Sequence, residues 1–379
     1  MSKRNMLPEG TRDLVLEECI IKRSIQNNID KLFELWGYKE VITPTLEFYE
    51  TFNYYPESLK EEEMYKFFDN KGRTLVLRPD MTIPIARLVS TKFKCEKLPI
   101  RLRYISNVFR VHQSLGGKRN EYTDCGIELI GLGKENADIE ILVLALEALK
   151  RLGLKDFKLE IGNIKFFNGA FKNLDINEVN KKKIAKLIED KNLKNLKDFL
   201  NELNIDENLK EFFNKLPWMF GDKNILEESK KMAFNNELMS CIEYLEDIYI
   251  KLESLGYADN ITFDLGMVPK LNYYNGIIFR GYGKGIGDSL LTGGRYDKLI
   301  KSDGVDLQAV GFSIDIDSII SITKDTSYQN KKRCKVCYNN KNIIQAIKIS
   351  EKLRNDGMIV ELLCNENLEE IKIVKCGGI

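Results

Sequence analysis

The chain has 379 residues, 43% of them hydrophobic and 30% charged, with 58 Lys+Arg against 57 Asp+Glu and a formal net charge of +1. That length leaves room for more than one domain, and the composition is that of an ordinary globular protein. The charge balance argues against nucleic acid as the main ligand, because proteins that grip it are biased basic.

The opening MSKRNMLPEGTRDL has no apolar core of a signal peptide. No run approaches the 18 apolar residues of a membrane span, so a cytosolic protein is expected. Glu17 to Trp36 has helical spacing in Ile20, Ile21, Ile25, Ile29, Leu32 and Phe33, and Gly37 ends it. YKEVITPTLEFYETF alternates as a strand with a break at Pro44, and TLVLRPD (74–80) reads as a short strand. ARLVST (86–91) belongs to a helix starting near Met81. IRLRYISNVFRVHQ (100–113) is a long strand, and EYTDCGIELIG (121–131) is its antiparallel partner across the polar loop SLGGKRN. An amphipathic helix covers Ala137 to Leu152.

From about 166 to 236 the texture turns to Lys, Asn, Glu and Leu, which predicts a helical insertion with a solvated lysine face; Asp175 with Glu178 resembles a capping box. Strands return at NITFDLG (260–266), LNYYNG, GIIFRGY and LLTGGRYDKLI, and AVGFSIDIDSIISI (309–322) reads as a strand running into a helix. Asn275-Gly276 is a two-residue hairpin signal. It predicts that Tyr273 and Tyr274 lie on a strand and face opposite sides. After the polar linker TSYQNKKR, the tail reads as one strand–helix–strand unit. Together these elements predict an α+β core, mostly antiparallel, with helices on one face.

Eight scattered cysteines need not pair in a reducing compartment. Cys334 and Cys337 form one Cys-x-x-Cys, but zinc sites want a second close pair, and Cys364 and Cys376 are far apart. Two buried thiols on a strand are expected there, and no metal. His112 is the only histidine, which argues against a His-based metal site or a catalytic triad.

Three motifs carry possible chemistry. In LRPDMT, Arg78 precedes a proline and is biased to extended backbone. Asp80 and Thr82 at this junction either cap the helix or recognise an amino group. In VFRVHQSLGGKRNEYTDCGIE, Arg110 sits among Asp124 and Glu128. That arrangement is either a surface ion-pair network or a clamp in which arginine takes a ligand carboxylate and the acids take a cation. In GGRYD (293–297), paired glycines permit close backbone approach, and Arg295 with Asp297 has a structural reading.

In chain order, LPEGTRD, GYKEVITPTLE, LRPDMT, the arginine and glutamate of FR…GIELIG, LNYYNG, GGRYD and AVGFSIDID together resemble the histidyl-tRNA synthetase family. That family includes the paralogous regulatory subunits of ATP phosphoribosyltransferase. The resemblance covers about residues 6 to 322 and matches the insertion poorly. It implies a class II aminoacyl-tRNA synthetase-like antiparallel sheet flanked by helices over 1–324, followed by a small α/β unit over 331–379 that is a reduced anticodon-binding-like domain. It implies a histidine pocket made of Asp80, Thr82, Arg110, Asp124, Glu128, Tyr273 and Tyr274. Asp124 departs from the family pattern, which has glutamine there.

The residues that activate ATP depart further. The arginine preceding the tyrosine pair in the synthetases corresponds to Pro269. The motif 3 arginine falls in Asp315-Ile316-Asp317-Ser318, and the motif 2 glutamate and loop arginine match His112 and Lys118. Losing one preorganised charge costs about a hundredfold in rate, so adenylate formation is not expected and no residue is assigned as catalytic. The resemblance implies a non-catalytic subunit that activates the short-form catalytic subunit of ATP phosphoribosyltransferase and confers histidine feedback on the first step of histidine biosynthesis. It implies a homodimer through motif 1 inside a hetero-oligomer, with no cofactor and no tRNA. The alternatives are an active histidyl-tRNA synthetase with a displaced arginine, for which Arg280 is the nearest candidate although its strand position argues against it, and a histidine sensor for another partner.

Overall fold

The computed structural model describes residues 6–53, 59–112, 119–154, 156–172, 176–268, 273–285, 287–302, 305–320 and 332–376. Lys118, Pro269, Asp175 and most of the 326–333 linker therefore lie outside the described residues.

A nine-stranded sheet organises the larger compact unit, residues 1–13 and 25–322. Its strands follow the spatial order Lys39–Glu40, Ile100–Phe109, Glu121–Ile130, Ala309–Asp315, Leu291–Arg295, Ile277–Gly283, Phe157–Asn163, Ile261–Asp264 and Phe220–Gly221. Lys39–Glu40 pairs parallel with Ile100–Phe109, as does Phe157–Asn163 with Ile261–Asp264; the other neighbours are antiparallel. The α+β expectation of a class II synthetase-like sheet flanked by helices holds. The central pair forms as the alternation predicts, in register from Ile100 opposite Ile130 to Phe109 opposite Glu121.

Two helices are tied to the strand Ile100–Phe109 by charged side chains at its polar positions. Arg101 clasps Glu140 of the helix Lys134–Arg151 through two bonds of 2.8 and 2.7 Å, and Arg103 donates to Asp30 at 2.7 Å. Bidentate arginine pairs of this kind fix geometry as well as adding attraction. Ile29, Leu32 and Phe33, spaced as the helical reading requires, are fully buried beneath.

Several sequence expectations need correction. YKEVITPTLEFYETF is not one strand: it gives Lys39–Glu40, then Leu46–Phe48 in a separate three-stranded sheet, then the helix Tyr49–Asn53. The strand from Ile100 ends at Phe109, so Arg110 lies just beyond it. The cap of the helix Glu178–Glu189 is Asn177, whose side chain accepts from Asn180 N at 2.8 Å. Among the described residues the insertion holds five α-helices between Ile164 and Lys230 and also the short strand Phe220–Gly221, which edges the main sheet. The long helix Asn236–Ser254 that follows was not anticipated.

The Asn275-Gly276 hairpin does not form. Tyr273 and Tyr274 are not in a strand, and Gly276 leads directly into Ile277–Gly283, whose neighbours are the remote strand Phe157–Asn163 and Leu291–Arg295. Gly276 O accepts from Ile164 N at 3.0 Å, so its partner is more than a hundred residues away in sequence.

The second compact unit comprises residues 14–24 and 323–379. Its parallel pair Arg333–Tyr338 and Ile359–Cys364, joined by the helix Ile343–Asn355, is the expected strand–helix–strand unit. A third strand, Lys372–Cys376, pairs antiparallel with Arg333–Tyr338 and escaped the sequence reading. Cys334 is buried in the small core with Val336, Ala346 and Val360, whereas Cys337 is half-buried.

Candidate functional site

A cavity of 550 Å³ is lined by all seven residues expected to hold a ligand: Asp80, Thr82, Arg110, Asp124, Glu128, Tyr273 and Tyr274. Its volume is in the range of small-molecule sites.

One side is built by the strand-to-helix junction of LRPDMT. Arg78 is buried and donates to Asn107 O and Thr43 O, each at 2.8 Å, which pins the extended backbone before Pro79. The helix Thr82–Lys92 starts three residues after that proline. Asp80 Oδ1 accepts from Ile83 N at 3.1 Å, so the capping role is real. It uses only one oxygen. Asp80 is 4% exposed, and among the described residues its Oδ2 has no partner. A buried acceptor left unsatisfied is costly. Burial raises the Asp80 carboxyl, against the pull of Arg110.

Arg110 is held by its own backbone-facing edge: Nε donates to Pro79 O at 2.9 Å. Among the described residues no acceptor is bonded to Nη1 or Nη2. Burial disfavours its charge, but Tyr122, Asp80 and Asp124 outweigh that and keep it protonated. The result is a fixed cation with its outer nitrogens available, flanked by carboxylates.

Glu128 is 2% exposed and accepts from Thr82 Oγ1 at 3.0 Å and from Tyr296 OH. Burial pushes its carboxyl up to about 8, although both hydroxyls oppose the shift. Asp124 faces Asp315 across the sheet register. Burial and then Asp315 push it up to about 7, with Arg110 pulling the other way.

Tyr273 and Tyr274 both enter this cavity instead of facing opposite sides, with ring centroids 4.8 Å apart; Tyr273 meets Tyr296 edge-on at 5.8 Å. Gly294 makes room for this packing, since a Cβ there would come within 2.7 Å of the Tyr274 ring. Tyr296 was not anticipated. Its signal lay in GGRYD, where Arg295 and Tyr296, adjacent on a chain leaving a strand, project to different surroundings. Arg295 pairs with Asp138 and Asp297 in a buried network, which supports its structural reading.

Gly311 sits opposite Glu128, and a Cβ there would lie 1.8 Å from Glu128 Oε2 and 2.4 Å from Ile127 O. Gly311→Ala is therefore expected to expel the Glu128 carboxylate and to lower unfolding free energy by about 1–3 kcal/mol, as overpacking does. Urea denaturation checks this; an unchanged midpoint would mean that the strand yields without cost.

The far end of the cavity holds Asp315 and Arg119. Asp315 caps the helix Ile316–Ile320, accepting from Ser318 N at 3.1 Å and Ser318 Oγ at 2.5 Å. Asp317 Oδ2 accepts from Thr123 N at 2.8 Å, and its other oxygen lies 3.5 Å from Arg119. Arg280 does line the cavity, against the expectation from its strand position, with Nη2 donating to Val268 O at 3.2 Å.

The histidyl-tRNA synthetase family model matches residues 10–319. The chain is 39% identical over 374 residues to the ATP phosphoribosyltransferase regulatory subunit of Clostridium acetobutylicum, covering 97% of this chain and 92% of that protein. It is 40% identical over 370 residues to the protein of the same name from Caldanaerobacter subterraneus subsp. tengcongensis, covering 97% and 96%. Among solved structures, it is similar to one described as an ATP phosphoribosyltransferase regulatory subunit/histidyl-tRNA synthetase from Bacillus halodurans. There the TM-score is 0.86 and the identity 33%, with 97% of this chain and 94% of that one covered. A histidyl-tRNA synthetase from a Nostoc species shares the fold at a TM-score of 0.77 and 21% identity, covering 97% and 86%.

Proposed function

The chain belongs to the histidyl-tRNA synthetase family, within its ATP phosphoribosyltransferase regulatory subunits, and from that premise we propose that it activates the short-form catalytic subunit and makes it sensitive to histidine. A regulatory role in histidine biosynthesis follows from the family. One observation carries activation and feedback: the cavity has a partner for each part of a free amino acid, while at its far end the one cation of that stretch among the described residues, Arg119, already faces Asp317 and Asp315 lies beside it.

Histidine fits as follows. Asp80 Oδ2 and Asp124 take the α-ammonium, the Nη atoms of Arg110 take the carboxylate, and Glu128 with the tyrosines takes the imidazole. Thr82 and Tyr296 orient Glu128. Adenylate formation would need positive charge aimed at the phosphates beforehand. Asp315 lines that end, Arg119 there faces Asp317 at 3.5 Å, and Pro269 stands where the synthetases have arginine. The chain thus binds without activating and contributes no catalytic group.

For feedback, histidine must bind one state of the complex better than another, and the coupling is reciprocal. A tenfold effect requires about 1.4 kcal/mol of coupling. A homodimer formed through motif 1, assembled with catalytic subunits, is the expected arrangement.

Arg280 keeps a second reading open, that of an active synthetase, because it brings a cation into the cavity. Its bond to the Val268 carbonyl and its position beside Glu160 and Asp264 occupy it with other work. The test is phosphoribosyl-ATP formation by the short-form catalytic subunit, with and without this chain and histidine. The expected result is a higher rate with the chain and a lower one when histidine is added. No change under either condition overturns the reading, and histidine-dependent ATP–pyrophosphate exchange would replace it with the synthetase.

A further inference from the structure

Tyr104 lines the cavity, is 2% exposed, and was not among the expected ligand contacts. Its ring belongs to a buried cluster with Met81 and Tyr296, against which Tyr122, Tyr273 and Tyr274 pack. Among the described residues its hydroxyl makes no hydrogen bond. The neighbouring hydroxyls are committed: Thr82 Oγ1 donates to Glu128 Oε1 and Tyr296 OH to Glu128 Oε2. A hydroxyl left without a partner in so buried a place is costly, and a ligand that supplies the partner recovers that cost.

The sheet register places this hydroxyl. Ser106 pairs with Asp124, Tyr104 with Gly126 and Leu102 with Glu128. Asp124, Gly126 and Glu128 alternate onto one face of their strand, so Tyr104 stands between the two acids. Gly126 lets the phenol lie across that strand: a Cβ there would come within 2.4 Å of the Tyr104 hydroxyl oxygen and 2.6 Å of its Cζ. Burial keeps the phenol protonated, and of its titratable neighbours Glu128 acts on it most, ahead of Asp124, Tyr273 and Asp80. An amino acid with its ammonium at Asp124 and its ring at Glu128 passes over Tyr104. An imidazole has two nitrogens, and Glu128, whose oxygens each already accept a hydroxyl, serves one of them. The other needs a partner of its own.

We propose that Tyr104 is a further ligand contact of this site, its hydroxyl hydrogen-bonding the ring nitrogen that Glu128 leaves free. The inference rests on the reading of the cavity as a histidine site and deepens it. A phenol hydroxyl donates or accepts, so it serves that nitrogen whether the ring is neutral or protonated.

Calorimetric titration of the full chain with histidine, wild type against Tyr104→Phe, tests this, because the substitution removes one oxygen and keeps the ring. A loss of about tenfold is expected. With histidine carrying nitrogen-15 in its ring, the variant should move one bound ring-nitrogen signal more than the other, and Glu128→Gln should move the other one more. A loss of affinity with both ring signals unmoved puts the hydroxyl at the ammonium end and overturns the proposal. Equal affinity overturns it too, while leaving the histidine site itself standing. Histidine that binds neither protein defeats the functional reading, and this contact with it. Thermal unfolding checks that Tyr104→Phe is folded. If it is not, proton contacts in the wild-type complex decide: contacts from the histidine ring to the Tyr104 ring support the proposal, and contacts to Tyr273 and Tyr274 alone overturn it.

Discussion

Arg110→Ala is expected to weaken histidine binding by about a hundredfold, close to 3 kcal/mol, the cost of truncating one member of a buried charged contact. The size follows from how the guanidinium is held. Its Nε is committed to Pro79 O, so the side chain does not search for its ligand, and its Nη atoms face a cavity that offers them no bonded acceptor among the described residues. A carboxylate arriving there completes a two-bond contact with little ordering cost.

Removing the arginine does a second kind of damage. Asp80 and Asp124 lose the one cation that offsets their burial, so both carboxyls rise further and hold their protons. A protonated acid no longer attracts the ammonium, and both ends of the amino acid lose their partners together. Arg110→Lys separates the two effects: it keeps the charge and loses the fork, so its affinity should fall between wild type and alanine. In the reconstituted complex the histidine inhibition curve should shift to higher concentration by the same ratio as the binding constant. A loss below about threefold in calorimetry, within the scatter of a weak exposed ion pair, would mean that the carboxylate is held elsewhere.

The parts of this site legible in the sequence are those set by local pattern. The alternation of IRLRYISNVF and EYTDCGIELI marks two paired strands, and the period of two along the second puts Asp124 and Glu128 on the same face. The proline after Arg78 and the helix start at Thr82 placed Asp80 at a junction, where the cap uses Oδ1 and leaves Oδ2 without a partner among the described residues.

What failed depended on remote partners. Asn-Gly is a strong hairpin signal only when the strand before it exists. Here the strand after it is claimed on one side by Phe157–Asn163 and on the other by Leu291–Arg295, so the tyrosines are free to fold together into the cavity. Tyr296 was passed over because its hydroxyl matters only through Glu128, a residue 168 positions earlier. The strand Lys372–Cys376 was passed over although a turn at Asn365 precedes it, because its pairing with Arg333–Tyr338 spans the whole preceding strand–helix–strand unit.

Asp124 is the departure from the family that gives the site a pH dependence. Its carboxyl is pushed up to about 7, first by burial and next by Asp315 across the register. Below that pH Asp124 is neutral and contributes nothing to holding an ammonium; above it, it is an anion beside Asp80. Histidine affinity should therefore rise through the neutral range, with a limiting slope of about tenfold per pH unit below 7. The ligand's own imidazole, which titrates near 6.5 in model compounds, and Glu128, pushed up to about 8, bend the curve as well. Comparing variants cancels those contributions, because they are common to both.

Asp124→Asn should remove the part of the slope due to Asp124 and bind more weakly than wild type at pH 8, with the difference vanishing toward pH 6. Stability runs the opposite way. The folded chain keeps the Asp124 proton after the unfolded chain has lost it near pH 4, so this group's contribution is present below about pH 4 and is lost as pH rises through about 7. Without ligand, Asp124→Asn should accordingly be more stable than wild type at pH 8, and that advantage should disappear at pH 4. Histidine titrations at pH 6, 7 and 8, with thermal unfolding at the two extremes, read both signs. Parallel affinity curves for the two proteins would show that Asp124 keeps one protonation state throughout and does not meet the ammonium, leaving Asp80 as the sole anionic partner at that end of the cavity.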